Sequence, residues 1–216
     1  MSDRVDSTTA TRHADSRHWR VLLRTLTGAF RPADYATGAS FAAEIAALAE
    51  AQQHHPELTL SWGRVGIRLT SHDIGGLSAR DLRLAAAITD LADRMGIPGV
   101  PDTLSAQEVA IDALDIPAVR PFWRALLAYV DDGDDALTDP TGSGPAYWFQ
   151  QMDAPRPQRN RIHLDITVPH DQAEARIAAA LAAGGALLSD ERAPAFWVLA
   201  DPEGNEACIC TWQARD

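Results

Sequence analysis

The sequence predicts an α+β protein, because segments with strand alternation and segments with helical periodicity are interleaved in two different orders. In the first half the order is strand or hairpin, helix, two strands, helix. In the second half a strand, a helix and several strands occur twice in succession, which indicates a structural repeat without obvious sequence identity. A stretch rich in Gly and Pro, residues 96–104, lies between the halves and predicts a domain boundary.

The composition is that of a globular chain with an acidic surface. Of the 216 residues, 46% are hydrophobic, and no apolar run approaches the roughly 18 residues of a membrane span. The formal net charge of -11 argues against a nucleic-acid partner. Residues 1–14 lack the apolar core of a secretory signal and are predicted to be a disordered lead-in. Cys208 and Cys210 do not form a disulfide framework, so a cytoplasmic location is expected.

The first predicted elements are a strand or hairpin and a helix. Alternation of apolar residues over 18–31 predicts the strand or hairpin. Apolar residues at helical spacing over 41–48 predict the helix. Because a proline disfavours helical geometry at the residue before it, Pro56 predicts that this helix ends at His55.

Two strands and a second helix complete the first half. Residues 58–62 and 65–69 alternate on either side of a turn and predict an antiparallel pair with one covered face. Leucine, isoleucine and methionine at helical spacing over 84–95 predict the helix that follows. Ser78 and Asp81 are three residues apart at its start and match a capping box in which Asp replaces the usual Glu or Gln.

Three of the seven histidines, His54, His55 and His72, lie near the ends of predicted elements, with the carboxylates of Glu50 and Asp81 close in sequence. Imidazoles suit proton transfer at neutral pH, for example in the elimination of water from a carbinolamine. Metal binding is the other use of such a cluster. Adjacent helical residues point about 100° apart, however, unlike the i, i+4 histidines of a zinc helix. Taken alone, the residues also fit polar side chains at a fraying helix end and an aspartate that only caps a helix.

The spacing of these residues resembles the signature of pterin-4a-carbinolamine dehydratases, with the motifs Glu50-x-x-x-His54-His55-Pro56 and Ser71-His72-x-x-Gly75-Gly76-Leu77-Ser78-x-x-Asp81. The resemblance implies a domain over residues 15–98 with a four-stranded antiparallel sheet and helices on one face. It also implies dehydration of a 4a-hydroxytetrahydropterin to the quinonoid dihydropterin, without a metal or cofactor. One departure is Ser71, where the family more often has Thr.

The resemblance also implies roles for six residues: catalysis for His54, His55 and His72, and substrate binding for Glu50, Asp81 and Trp19. His54 and His72 would be the acid–base pair, and His55 would help to bind the pterin. The two carboxylates would orient imidazoles, and the tryptophan would wall the pocket.

The second half resembles the glyoxalase-like branch of the vicinal-oxygen-chelate superfamily, with the motifs Asn160-Arg161-Ile162-His163-Leu164-Asp165 and Asp201-Pro202-Glu203-Gly204-Asn205-Glu206. The resemblance implies paired βαβββ modules over residues 104–216. The positions of the metal ligands in metal-dependent members fall at Glu108, near Gln150, at His163 and near Cys208. Only Glu108 and His163 are ordinary ligands of a hard metal, so a metal-free domain is the favoured interpretation.

The predicted protein is therefore a cytoplasmic, two-domain dehydratase that acts on a small pterin, has no nucleic-acid or membrane partner and forms a homodimer. Two alternatives stay open. The C-terminal domain could carry the main activity as a metal-dependent lyase or dioxygenase, or the N-terminal domain could bind a pterin for regulation without turning it over.

Overall fold

The computed structural model describes residues 4–155, 163–211 and 213–214. It divides the chain into two compact units, Met1–Ala106 and Gln107–Asp216.

Over its described residues, 4–106, the N-terminal unit contains three α-helices and four strands. In chain order they are α1 (Ser7–His13), β1 (Trp19–Leu22), β2 (Thr25–Phe30), α2 (Tyr35–Gln52), β3 (Glu57–Ser61), β4 (Arg64–Leu69) and α3 (Ala79–Met95), with short 3-10 turns at His72–Ile74 and Pro101–Thr103.

The four strands form one antiparallel sheet in the order β1-β2-β4-β3, with both long helices on one face. Inward side chains alternate along the strands, as in Val65, Ile67 and Leu69, and pack with Phe41 and Ile45 of α2 and with the apolar side of α3. The predicted fold of this half is confirmed.

The prediction of a disordered lead-in is wrong for residues 4–14. Asp6 caps α1 by accepting a hydrogen bond from the Thr9 amide, and Ala10 is fully buried in the core of the unit. The Val5 amide donates to the Leu77 carbonyl at 2.7 Å. One buried alanine among polar residues is a weak pattern, so only tertiary packing identifies this helix.

The end of α2 also differs from the prediction. The helix stops at Gln52, and Gln53 adopts a left-handed conformation (φ 49°, ψ 42°). The amides of Gln53 and His54 then donate to the carbonyls of Glu50 and Ala49, which is a Schellman arrangement. His54 and His55 therefore follow the helix, and Glu50 and His54 do not share a helical face.

The C-terminal unit contains two α-helices and eight strands among the residues described. They are β5 (Glu108–Ala113), α4 (Ile116–Leu127), β6 (Val130–Asp131), β7 (Ala136–Thr138), β8 (Ala146–Gln151), β9 (Leu164–Thr167), α5 (Ala173–Ala182), β10 (Ala186–Ser189), β11 (Phe196–Ala200) and β12 (Glu206–Cys210).

These elements form two βαβββ modules with the same topology, which confirms the predicted repeat. The sheet orders are β5-β8-β7-β6 and β9-β12-β11-β10, and in each sheet the first strand is parallel to the fourth. Helices α4 and α5 contact each other and contribute Phe122, Trp123 and Ile177 to one core shared by both modules. Residues 160–162 of the predicted second-module motif lie outside the described residues.

The turn formed by residues 201–206 has a structural function in the C-terminal unit. Asp201 is 3% exposed, and its carboxylate accepts hydrogen bonds from the Trp123 indole and from the amides of Glu203 and Asn205. The Glu203 carboxylate in turn accepts from the amide of Asp115, at the start of α4. The two amide contacts of Asp201 therefore close the turn, and the contacts with Trp123 and Asp115 hold it against α4.

In the described part of the chain, no helix combines the length and the apolar character that crossing a bilayer requires.

Trp19 belongs to the core of the N-terminal unit. The residue is 2% exposed, its ring packs edge-on against Phe30, and its indole N–H donates to the Thr89 hydroxyl at 3.0 Å. Both the ring and its polar atom are occupied inside the protein, and the expected position on a pocket wall stays a prediction.

We predict that Trp19→Phe lowers the free energy of unfolding of the N-terminal unit by about 1–3 kcal/mol, since it removes buried volume and leaves the Thr89 hydroxyl without its donor. Amide hydrogen exchange in β2 and β4 measures this change. The control is Trp62→Phe at a side chain that is 81% exposed, where we expect a change within about 0.5 kcal/mol. Equal effects of the two substitutions would contradict the core position of Trp19.

Candidate functional site

A buried histidine–aspartate pair lies at the centre of the candidate site. Nε2 of His54 is 2.7 Å from Oδ1 of Asp81, and the two side chains are 8% and 0% exposed. The pair joins the loop after α2 to the first turn of α3. Among the described residues this is the only polar side-chain contact of His54.

The second carboxylate oxygen of Asp81 is held by two serines. Oδ2 accepts from the Ser71 hydroxyl at 2.8 Å, from the Ser78 amide at 2.7 Å and from the Ser78 hydroxyl at 3.3 Å. The two hydroxyl oxygens are 2.7 Å apart. The predicted capping box is therefore present, and its aspartate is also the partner of a histidine.

His72 is exposed at the start of a 3-10 turn that follows β4. The turn is closed at its base by a hydrogen bond from the Ser71 amide to the Gly76 carbonyl, and Gly75 supplies the left-handed conformation (φ 58°). Since Ser71 also donates to Asp81, the residue next to His72 is tied to the buried pair.

A surface ion pair holds the other side of this turn. The Arg80 guanidinium donates to both carboxylate oxygens of Asp73, at 2.7 and 3.0 Å. This hydrogen bond lowers the pKa of Asp73 below its usual value. Arg80 also donates to the Ser78 hydroxyl and so connects the turn to the start of α3.

His55 and Glu50 form a separate, exposed pair. Nε2 of His55 is 3.2 Å from Oε1 of Glu50, and the side chains are 60% and 72% exposed. The pair is carried by the left-handed residue Gln53, whose side-chain amide donates to the Glu50 carbonyl. The left-handed backbone conformation of Gln53, which residues other than Gly and Asn rarely adopt, therefore determines the direction in which the chain continues through His54 and His55.

Five of the six residues predicted for the site lie on connected elements, and Trp19 does not join them. His54 and Asp81 are in direct contact, His55 and Glu50 are in direct contact, and His72 lies beside a partner of Asp81.

Sequence reasoning did not identify the serine hydroxyls or Arg80 as parts of this network. The capping-box spacing of Ser78 and Asp81 was a signal for one serine. Ser71 was noted only as a position of the motif and Asp73 gave no signal, because their contacts depend on how the turn after β4 folds back onto α3.

A second cluster of chemically active side chains lies in the C-terminal unit. Ligand atoms of His163, Asp165 and Cys208 all lie within 4.8 Å of one another. Asp165 and Cys208 are directly opposite each other on the parallel strands β9 and β12, and His163 lies two residues before Asp165. Glu108 is not part of this cluster in the described region.

The donor set of this cluster fits a borderline-soft divalent ion such as Zn²⁺, which binds imidazole, carboxylate and thiolate. Cys208 is 6% exposed, and burial, with the nearby Asp165 charge, raises the pKa of its thiol to about 12. Without an ion the thiol therefore keeps its proton. The side chains of His163 and Asp165 are more than half exposed, so an ion would have access from solvent.

Two family models match the chain and together account for most of it. The model for pterin 4 alpha carbinolamine dehydratase matches residues 3–91. The model for a glyoxalase-like domain matches residues 108–210.

Relatives of the N-terminal unit carry the provisional name pterin-4-alpha-carbinolamine dehydratase. One from Rhodospirillum rubrum is 44% identical over 91 residues, which are 41% of this chain and 95% of the relative. Another from Chloroflexus aurantiacus is 38% identical over 73 residues, which are 34% of this chain and 78% of the relative.

Solved structures similar to each unit have also been found. A transcriptional coactivator/pterin dehydratase from Brucella melitensis is 28% identical, with a TM-score of 0.39, and the match covers 41% of this chain and 98% of that one. A glyoxalase/bleomycin resistance protein from Albidiferax ferrireducens is 21% identical, with a TM-score of 0.38, and the match covers 49% and 96% of the two chains.

We predict that Asp81→Asn lowers the free energy of unfolding of the N-terminal unit by about 2–4 kcal/mol, because an amide in place of the carboxylate leaves at least one buried donor without an acceptor. Hydrogen exchange at the start of α3 measures the loss. Asp73→Asn is the matched control, since that carboxylate is exposed, and a loss below about 1 kcal/mol is expected. If the two variants are equally stable, Asp81 does not have the structural role assigned to it.

Proposed function

Because the chain belongs to the pterin-4a-carbinolamine dehydratase family through its N-terminal unit, we propose that this unit dehydrates a 4a-hydroxytetrahydropterin to the quinonoid dihydropterin. The observation that supports the proposal most strongly is the 2.7 Å contact between His54 and the buried Asp81, in a network that also holds the turn bearing His72.

The reaction needs two proton transfers and no redox step. An acid gives a proton to the hydroxyl on C4a, the C–O bond breaks and water leaves. A base takes a proton from the neighbouring ring nitrogen, whose electron pair forms the new C=N bond. Each positioned proton transfer typically contributes about 10²–10⁴-fold to the rate.

We assign the role of base to His54. The Asp81 carboxylate accepts a hydrogen bond from Nε2–H, so in this scheme the imidazole has its proton on Nε2 and an electron pair on Nδ1. Asp81 has no freedom to turn away, because its other oxygen accepts three further hydrogen bonds. A nucleophile or base oriented by a fixed third group is a general feature of such sites.

The acid in this proposal is His72, an exposed residue of the turn after β4. The hydrogen bond between Ser71 and Gly76 and the ion pair between Arg80 and Asp73 hold this turn in place. His55 contributes to binding of the pterin, and Glu50 orients its imidazole through the 3.2 Å contact. The dehydration requires no metal or cofactor in this scheme.

The C-terminal unit has the cluster of His163, Asp165 and Cys208, which supports a second candidate function that depends on a metal ion. These three side chains would hold the ion, and an ion with an open position would supply Lewis-acid chemistry for a lyase or dioxygenase. The interpretation as a metal-free domain, favoured from the sequence, stays a prediction until metal binding is measured.

We also propose that the protein acts as a homodimer in the cytoplasm. The location is supported by Cys208 and Cys210, which are buried and take part in no disulfide among the described residues. Sedimentation equilibrium of the full chain tests the dimer, and a monomer at micromolar concentration would exclude it.

We predict that His54→Ala and His72→Ala each reduce the rate of dehydration by about 10²–10⁴-fold, because each removes one positioned proton transfer. The measurement is the formation of quinonoid dihydropterin above the spontaneous rate. His13→Ala changes an exposed side chain of α1, is the control and should leave the rate unchanged.

Pterin binding is measured on the same samples. Variants that dehydrate as fast as the wild type would refute the assigned roles. Wild-type protein that binds the pterin without accelerating dehydration would instead support a regulatory pterin-binding module.

We predict that, if the C-terminal cluster binds metal, Co²⁺ binds the full chain with a stoichiometry of one and produces a thiolate-to-cobalt charge-transfer band. Cys208→Ser should abolish the band, because serine provides no thiolate. Cys210→Ser is the control, since Cys210 lies outside the cluster, and it should retain the band. Absence of a band and of bound metal in the wild type would support the metal-free domain.

A further inference from the structure

The turn that bears His72 is closed by a short antiparallel bridge between Ser71 and Gly76. The Ser71 amide donates to the Gly76 carbonyl at 2.8 Å, and the Gly76 amide donates to the Ser71 carbonyl at 3.4 Å. The Thr70 hydroxyl donates to the same Gly76 carbonyl at 3.3 Å. A displacement of Gly76 is therefore transmitted to Ser71, the residue next to His72.

Residues 4 and 5 pair with the other side of this backbone. Arg4 forms an antiparallel bridge with Ser78, and the Val5 amide donates to the Leu77 carbonyl at 2.7 Å. The backbone of residues 76–78 is therefore paired on both sides, as the central strand of an antiparallel sheet is.

The segment that carries Arg4 is anchored in the core of the N-terminal unit. Ala10 of α1 is fully buried, and Val5 packs against the same core. Asp6 caps the helix by accepting a hydrogen bond from the Thr9 amide at 2.8 Å. The position of Arg4 is therefore determined by the packing and capping of its neighbours as well as by its own contacts.

The side chain of Arg4 lies directly against Gly76. A Cβ atom at Gly76 would be 3.2 Å from Nη2, 3.3 Å from Nε and 3.5 Å from Cζ of Arg4. Gly76 is buried, and its backbone does not adopt the left-handed conformation of its neighbour Gly75. The absence of a side chain at Gly76 therefore makes room for the guanidinium and is not required by the backbone conformation of the turn.

Covering the core explains the positions of Val5 and Ala10 but does not explain the contact of Arg4. The guanidinium packs on the backbone of a turn, and an ordered arginine side chain loses rotamer freedom. Glycine has the most conformational freedom of any residue, so a group that packs on Gly76 restricts the motion of the turn. The contact therefore acts on the geometry of the turn.

We propose that Arg4 is a positioning residue for His72, which holds the turn after β4 by packing on Gly76. This inference rests on the proposed function, in which His72 is the acid of the dehydration. A small displacement of the acid slows proton transfer, whereas the pterin still binds through other groups. Loss of the Arg4 side chain therefore lowers kcat more than it changes KM.

The kinetics of dehydration by the full chain test the proposal. Arg4→Ala should lower kcat about tenfold, which is less than the loss expected on removal of the acid itself, and should change KM less than about twofold. Gly76→Ala should have a similar effect, because the added methyl group displaces the guanidinium. The double variant should be no slower than either single variant, since both substitutions remove the same contact.

Arg12→Ala is the matched control for Arg4→Ala. It removes the same charge and the same side chain from an exposed position in the last turn of α1. The kcat and KM of this variant should equal those of the wild type.

Hydrogen exchange reports on the turn without any substrate. In Arg4→Ala the amides of Ser71 and Gly76 should exchange about tenfold faster than in the wild type, while the amides of β4 keep their wild-type rates. This measurement separates the two proposals. Faster exchange at the turn, in a protein whose wild type does not accelerate dehydration, would refute the dehydration and support the hold of Arg4 on the turn.

Three results would overturn the proposal. The first is wild-type kcat together with wild-type exchange in Arg4→Ala. The second is additive loss of kcat in the double variant, because the two substitutions would then act through different contacts. The third is equally accelerated exchange throughout β2 and β4 in Arg4→Ala, because the substitution would then lower the stability of the whole unit and not the order of the turn.

Discussion

The buried carboxylate of Asp81 is the group on which the N-terminal unit depends. A charge that is fully removed from water is tolerated only when hydrogen-bond donors replace the water. Here the donors come from the loop after α2, the turn after β4 and the start of α3. One anion therefore determines the relative positions of three segments, and two of the three carry a histidine of the candidate site. The stability of the fold and the geometry of the site depend on the same atoms.

Two other buried polar groups show why burial alone does not indicate function. Asp201 in the C-terminal unit is as buried as a core residue, but its partners are an indole and backbone amides, none of which exchanges protons at neutral pH. Asp81 differs because one of its partners is His54. The buried His18 is the opposite case, since its Nδ1 has no hydrogen-bond partner among the residues that the structure describes. The chemical identity of the hydrogen-bond partner therefore distinguishes a buried carboxylate with a purely structural function from one that could take part in proton transfer.

The errors made from the sequence have a common physical origin. Helix α1 has one buried residue, Ala10, and is stabilised by packing and not by periodicity. The end of α2 was placed at His55 because of the proline that follows, whereas Gln53 had already stopped the helix in a left-handed conformation that glutamine rarely adopts. The hydrogen bond of the Trp19 indole to Thr89 in the core likewise gave no local signal, because it joins residues 70 positions apart.

The sequence by itself determined the α+β class, the repeated βαβββ order, the capping box of α3 and the histidines and carboxylates of the candidate site. These features are local, since each follows from alternation, helical spacing or a short motif. Only the tertiary structure decided which carboxylate meets which histidine, that Ser71 belongs to the network, and that Asp165 joins His163 and Cys208. Such contacts join residues distant in sequence or on separate strands, and their formation depends on packing that no local pattern records.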